Sequence, residues 1–263
     1  MTKKISTCVI LAGGLGSRIT EETVDKPKPM VTIGNLPIIH HIMNHYSKYG
    51  VNHFIICAGY KSEVIKQYFT NLLHLSDNLE VDFPNSALSK TKYKNEEFHK
   101  WKVQIIETGE NSNTGGRIKR VEKWIPDDNF FLTYGDGLSD IDLNRLAKRH
   151  FSQKNNLVTI TAVKKNNRFG NLVINNQNYV TKFVEKNKKN EEMINGGFQV
   201  VNKEVLKLIK SSHSSWESDV LELLAEKRKL SSYKHTGFWQ CMDNLREKQL
   251  LEKLWNSKKA PWL

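Results

Sequence analysis

A chain of 263 residues with 40 Lys and Arg against 28 Asp and Glu carries a formal net charge of +12, and its length suits one large α/β domain with a sizeable core. No apolar run approaches the roughly 20 residues needed to span a membrane, and Met1-Thr2-Lys3-Lys4-Ile5 passes straight into a strand pattern without a signal-peptide apolar region; a cytoplasmic protein with no membrane partner is expected. The lysines are scattered in short groups such as Lys164-Lys165, without a nucleic-acid module, and Cys8, Cys57 and Cys241 have no metal spacing, so neither nucleic-acid binding nor redox chemistry is indicated.

The first strand pattern, Cys8-Val9-Ile10-Leu11-Ala12, empties into Gly13-Gly14-Leu15-Gly16-Ser17-Arg18. An apolar strand that ends in glycines and then a cation offers several backbone N–H groups to an anion. It is not a Walker loop, because Arg18 follows Gly16 with no Lys-Ser or Lys-Thr pair, and it is not a dinucleotide fingerprint, because Ile19 stands where a third glycine or alanine is required. The glycines alone are also compatible with a tight turn carrying an exposed arginine. Pro27 and Pro29 hold Lys28 extended. Arg18 and Lys28 meet one polyphosphate if the polar segment Thr20 to Thr23 folds back; otherwise Lys28 is a solvated loop cation.

Asn35 to Tyr46 has a helical period, with Pro37 suited to its first turn and Gly50 to its stop. His40, His41 and His45 are then expected on the solvent side or at an interface, not as metal ligands. His53 to Tyr60 reads as a second buried strand and Lys61 to Leu75 as a helix. Strand, helix, strand, helix predicts a parallel sheet with the ligand beyond the carboxyl ends of its strands. From Ser76 to Trp101 the pattern dissolves, and the embedded Phe83, Tyr93, Phe98 and Trp101 favour a contact role for this stretch.

Lys102 to Glu107 returns to strand, and Thr114-Gly115-Gly116-Arg117 opens a helix running to Trp124. Its two glycines either admit a flat base or a phosphate to the backbone or merely soften the helix start. Phe130 to Tyr134 is a strand that delivers Asp136, between Gly135 and Gly137, to the rim where the glycine loop emerges. A turn aspartate is the ordinary account, but beside a polyphosphate a hard oxygen ligand suits Mg²⁺. Asp140 and Asp142 are better placed to cap a helix over 142–153. The second half predicts strands at 158–163, 169–174, 179–184 and 198–201, more antiparallel in character, helices at about 203–210 and 217–228, and a strand at 231–235. Asp243 precedes a helix running to Trp255, where capping is an open alternative.

Six motifs then stand in register: Leu11 to Arg18 with Lys26-Pro27-Lys28-Pro29-Met30, Tyr134-Gly135-Asp136-Gly137, Arg168-Phe169-Gly170, Phe183-Val184-Glu185-Lys186, Ile194 to Phe198, and Gly237-Phe238-Trp239-Gln240 through Met242-Asp243. Together they resemble the sugar-1-phosphate nucleotidylyltransferases, in the order expected of the cytidylyltransferase branch, and the resemblance extends to Lys259-Ala260-Pro261-Trp262. It implies a Rossmann-like, mostly parallel central sheet flanked by helices, with a smaller, partly antiparallel acceptor-binding subdomain. The chain is then a single domain over 1–263, with a nucleotide-binding half (1–150, insertion at about 76–101) and a sugar-phosphate-binding half (151–263).

The implied reaction joins CTP and glucose 1-phosphate into CDP-glucose and pyrophosphate, in a homo-oligomer. The resemblance assigns nucleotide binding to Leu11, Ala12, Gly13, Gly14, Gly16, Ser17, Arg18, Lys28, Gly115, Gly116 and Arg117. It assigns the acceptor to Gly170, Glu185, Lys186, Asn195 and Gly196, Mg²⁺ to Asp136 and Asp243, and catalysis to Arg18, Lys28 and Lys186. The chain departs from the family pattern at Asn187, where proline is usual, at Asn171-Leu172-Val173 in place of Ala-Leu-Asp, and at Cys241, again in place of proline. These departures leave another acceptor phosphate or another nucleoside triphosphate open. A non-catalytic nucleotide-binding regulator is disfavoured by the joint presence of Arg18, Lys28, Asp136, Lys186 and Asp243.

Overall fold

The computed structural model describes residues 4–75, 78–82, 87–91, 101–164, 171–174, 180–184 and 193–263. In chain order the first half contributes β1 (Thr7–Ala12), α1 (Thr20–Thr23), β2 (Thr32–Ile33), β3 (Leu36–Pro37), α2 (Ile38–Ser47), β4 (His53–Ala58), α3 (Ser62–Leu75), β5 (Asn78–Asp82), β6 (Ala87–Thr91), β7 (Lys102–Glu107), α4 (Thr114–Arg120), β8 (Asn129–Tyr134), β9 (Gly137–Ser139) and α5 (Leu143–Ser152). The second half contributes β10 (Val158–Lys164), β11 (Asn171–Ile174), β12 (Val180–Val184), β13 (Met193–Asn202), α6 (Glu222–Glu226), β14 (Leu230–Lys234), β15 (Trp239–Cys241) and α7 (Leu245–Asn256).

Seven strands form one sheet in the order β14-β10-β13-β8-β1-β4-β7. Every neighbouring pair is parallel except those made by β13, which runs antiparallel to both β8 and β10. The expected parallel sheet is therefore present, and the antiparallel character of the second half enters it through β13. Two-stranded antiparallel pairs, β11 with β12 and β9 with β15, lie outside it.

The central strands are apolar on both faces, as a sheet covered on both sides requires. Cys8, Ile10, Phe54 and Ile56 face a core shared with Ile38, Ile42 and Leu146, while Val9, Leu11, Ile55 and Cys57 face a second core built around Ile118, Trp216 and Val220. The period-2 alternation of strand side chains divides each strand between the two.

Several local expectations change on packing. His40, His41 and His45 are buried, not solvent-facing. His41 Nε2 donates to the Ile33 carbonyl at 2.9 Å, and its ring lies 4.9 Å from that of Trp255 and accepts from Trp262 Nε1. His45 Nε2 donates to the Ile141 carbonyl at 2.9 Å. The C-terminal Trp255 and Trp262 cover the side of α2 that a single amphipathic stripe leaves open. Trp101, expected in a contact segment, instead belongs to this chain's own core: its indole donates to Ser47 Oγ at 2.6 Å and packs on Phe54. Phe83, Tyr93 and Phe98 lie outside the described residues. The helix expected over 203–210 is a 3-10 turn, Lys203–Leu208, and that over 217–228 begins as a π-helical turn, Trp216–Leu221, before α6. No helix among the described residues is long and apolar enough to cross a membrane.

Candidate active site

The glycine loop leaves the carboxyl end of β1 and folds back on itself. Gly16 adopts φ +66, a left-handed conformation that glycine takes without strain, and its carbonyl accepts from the Ile19 amide at 3.1 Å. Thr23, at the end of α1, donates from Oγ1 to the Gly16 and Ile19 carbonyls. Thr20 to Thr23 thus folds back as Arg18 and Lys28 require. Lys28 is not extended as its flanking prolines predict: Pro27 is extended, but Lys28 opens a 3-10 turn, Lys28–Met30, in which Pro29 needs no amide donor, and this turn carries Lys28 beneath the loop, where it is 7% exposed.

Asp136 and Asp243 are brought together by a strand pair. The antiparallel register of β9 with β15 sets Cys241 opposite Gly137, and the Met242 amide donates to the Asp136 carbonyl at 2.9 Å. One carboxylate thus stands beside the other at the rim of the sheet. Capping does not compete for Asp243, because Asn244 is the cap of α7 and accepts from the Glu247 amide at 3.1 Å. Asp142 likewise caps α5, whereas Asp140 turns to His235 at 3.0 Å.

Both carboxylates converge on one ammonium. Lys28 Nζ donates to Asp136 Oδ2 at 2.7 Å and to Asp243 Oδ1 at 2.5 Å, and Arg18 Nη1 donates to Asp243 Oδ2 at 2.7 Å. Burial opposes the charge on Lys28, but Asp136 and Asp243 outweigh it and hold the ammonium above the usual lysine range. Arg18 is mostly exposed, so its pair is screened and adds little to stability. Cys241 Sγ is 3.7 Å from Asp243 Oδ2; burial, with the neighbouring carboxylates, pushes its thiol up to about 12, so it faces the site as a neutral group.

Two cavities meet at this network. The first, of about 380 Å³, is lined by Leu11 to Gly14, Gly16, Ser17, Arg18, Lys28, Ser112 to Thr114, Arg117 and Tyr134 to Asp136. The second, of about 310 Å³, shares Arg18, Tyr134 and Asp136 with the first and is completed by Ile194 to Phe198, Trp239, Cys241 and Asp243. Its wall is fixed by Trp239 Nε1, which donates to the Gly196 carbonyl at 2.7 Å, and by Asn195 Oδ1, which accepts from the Gly197 amide at 2.9 Å.

Every loop residue expected at the nucleotide, and Asn195 and Gly196 on the acceptor side, is therefore brought to one of the two cavities. Gly115 and Gly116 are not. An added Cβ would meet the Ser214 carbonyl oxygen at 2.7 Å from Gly115 and the Ser212 carbonyl oxygen at 2.1 Å from Gly116, so these glycines admit neighbouring backbone, not a base. Arg117 is 5% exposed and committed to its own chain, donating to Thr108 Oγ1 at 2.8 Å and to the Glu110 carbonyl at 2.9 Å. It braces the floor, directly under Gly13 and Gly59. Gly170, Glu185 and Lys186 lie outside the described residues. The sequence assigned no role to Thr114, Tyr134 or Trp239, which line the cavities; membership of two of the six motifs in register marks Tyr134 and Trp239.

A strand-end glycine loop, two cations and two convergent carboxylates shared between paired cavities can hold and polarise a polyphosphate. Comparison with known proteins agrees. The nucleotidyl transferase family model matches residues 7–244. The chain is 47% identical over 256 residues, 97% of each chain, to glucose-1-phosphate cytidylyltransferase of Salmonella typhimurium, and 36% identical over 97% of its length, covering 98% of the relative, to a probable glucose-1-phosphate cytidylyltransferase of Bacillus subtilis. Among solved structures, HddC from Yersinia pseudotuberculosis complexed with GMP-PN is similar in fold, with a TM-score of 0.68 and 23% identity over 95% of this chain and 100% of that one. By the family match across most of its length and by identity to these relatives, the chain is a nucleotidyltransferase and belongs to the nucleotidyl transferase family.

Proposed function

We propose that the protein transfers the cytidylyl group of CTP to glucose 1-phosphate, forming CDP-glucose and pyrophosphate. The carrying observation is the Lys28–Asp136–Asp243–Arg18 network at the junction of two cavities, supported by 47% identity to a relative of that activity. The attacking group is a phosphate oxygen. Its second pKa of about 6 leaves it largely anionic at neutral pH, so no general base is needed. The remaining task is to bring two anions together and to balance charge on the α-phosphate and the departing pyrophosphate.

In this reading the amides of Gly13 to Ser17 and the Arg18 guanidinium take the β- and γ-phosphates, and Lys28, which keeps its proton, stands near the reacting phosphates. Lys186 takes the attacking phosphate, with Glu185, Asn195, Gly196 and Gly170 around the sugar. Arg117, Gly115 and Gly116 serve the nucleotide indirectly, by fixing the floor beneath the loop. Asp136 and Asp243 fit Mg²⁺: both carboxylates already point at one cationic atom, and hard oxygens with phosphate oxygens are its usual donors. Bound there, Mg²⁺ supplies Lewis-acid stabilisation of phosphoryl charge.

The two halves of the single domain, 1–150 and 151–263, then correspond to donor and acceptor. We place the enzyme in the cytoplasm as a homo-oligomer to which the insertion at about 76–101 contributes, with its product feeding deoxysugar and surface polysaccharide synthesis such as O-antigen. The test is pyrophosphate release with Mg²⁺ across four nucleoside triphosphates and a panel of sugar 1-phosphates. Release confined to CTP with glucose 1-phosphate supports the reading. Cys241, which lines the second cavity where the family has proline, favours a different acceptor as the alternative, and release with CTP and another sugar phosphate would select it.

A further inference from the structure

Tyr134 is the side wall common to both cavities, and what holds it comes from a distant part of the chain. Its phenol donates to Glu217 Oε1, and the Thr114 hydroxyl donates to Glu217 Oε2 at 2.7 Å, as does Ser215 at 3.0 Å. Thr114 Oγ1 in turn accepts from the Trp216 amide at 2.9 Å. Glu217 lines neither cavity but ties together a residue shared by both, Tyr134, and a residue of the first, Thr114. On its other side the ring is pressed by Gly197, where an added Cβ would fall 2.7 Å from Tyr134 Cδ2; with φ +84, that position suits glycine alone. Glu217 is carried by the π-helical turn Trp216–Leu221, a departure from α-geometry of the kind found at functional sites.

We infer that Glu217 is a positioning residue for nucleotidyl transfer: by clamping the Tyr134 phenol and the Thr114 hydroxyl it fixes the partition between the donor and acceptor cavities. This rests on reading the two cavities as donor and acceptor sites. A carboxylate suits the task because it accepts all three hydrogen bonds at once and offers no competing donor. An amide at 217 can accept only some of them, so the partition loosens while the fold is kept.

The experiment uses the full chain labelled with 3-fluorotyrosine, the Tyr134 resonance being assigned by its loss in Tyr134→Phe. Glu217→Gln and Glu217→Ala should shift and broaden that resonance and lower kcat/KM for the sugar phosphate roughly tenfold or more, the scale for losing hydrogen bonds to a charged group, with CTP affinity by calorimetry weakened as well, because Thr114 and Tyr134 both line the first cavity. Adding Tyr134→Phe to Glu217→Gln should cost little beyond either alone, because both act through one contact. Additive losses, or an unmoved Tyr134 resonance in both Glu217 variants, overturn the inference. If the unsubstituted protein shows no turnover with any substrate pair, the donor–acceptor reading fails, and the resonance still decides whether Glu217 holds Tyr134.

Discussion

Lys28 donates to Asp243 across 215 residues of sequence, at 2.5 Å, and the same ammonium holds Asp136 at 2.7 Å. An ammonium seated between two carboxylates defines a cation position in which the charge on either aspartate is balanced by its neighbours. Asp136→Ala should therefore lower Mg²⁺-dependent pyrophosphate release by more than about a hundredfold, the scale for removing one group that stabilises transition-state charge. Its circular dichroism should stay unchanged, and Asp243→Asn should behave alike. Ordinary turnover in Asp136→Ala would remove the metal assignment.

Lys186 is expected to act on one substrate only. Lys186→Ala should raise KM for the sugar phosphate or lower kcat while leaving the CTP dissociation constant, measured by calorimetry, within about twofold; a point charge on a phosphate is worth a discrete part of that substrate's binding. Loss of CTP binding alone would assign Lys186 to the nucleotide instead.

The glycines separate by what surrounds them. A Cβ at Gly116 meets the Ser212 carbonyl oxygen at 2.1 Å, whereas one at Gly14 meets nothing within 4 Å. Gly116→Ala should lose about 1–3 kcal/mol of stability in urea titration through overpacking against backbone. Gly14→Ala should stay within about 0.5 kcal/mol and yet weaken CTP binding, because its methyl group would enter the space assigned to phosphate. Equal stability of the two variants would show that the 212–214 segment yields.

Burial lowers His40, His45 and His150 from the ordinary 6.5 to about 4. Between these values the unfolded chain binds more protons than the folded one, so the stability from keeping these rings neutral is full above pH 6.5 and is lost as pH falls toward 4. Each ring removes up to about 1.4 kcal/mol per pH unit in that window. Urea midpoints should fall steeply from pH 6.5 to 5 and change little from these groups above pH 7. A flat profile from 6.5 to 5 would mean that the rings protonate in place.

Sequence made the loop and Lys28 readable through the six motifs in register; the glycines alone allowed a tight turn, and Lys28 alone a solvated loop cation. Asp136 followed from its place at the end of a strand. What stayed hidden depends on which distant segments touch. A helical period gives α2 one buried stripe, and its histidines are covered by distant segments: His41 by Trp255 and Trp262, His40 by Tyr68 and Trp101, and His45 by Ile141 and Phe198. Whether Asp243 or Asn244 caps α7 turns on a single residue, finer than a hydrophobic pattern resolves. Gly115 and Gly116 suggested a ligand because the Ser212 and Ser214 carbonyls that fill the space come from a loop about a hundred residues later. Glu217 gave no signal, since its partners Tyr134 and Thr114 are joined to it by tertiary packing alone.

The pairing of β9 with β15 also gives the site a place in the timetable of synthesis. A nascent chain carries the glycine loop, Lys28 and Asp136 well before Trp239–Cys241 leaves the ribosome to lie beside Gly137–Ser139. Until then Lys28 has one carboxylate, and Arg18 lacks the partner that lies 225 residues downstream. Chains released early therefore carry half a site, the loop cations and Asp136 without the second carboxylate.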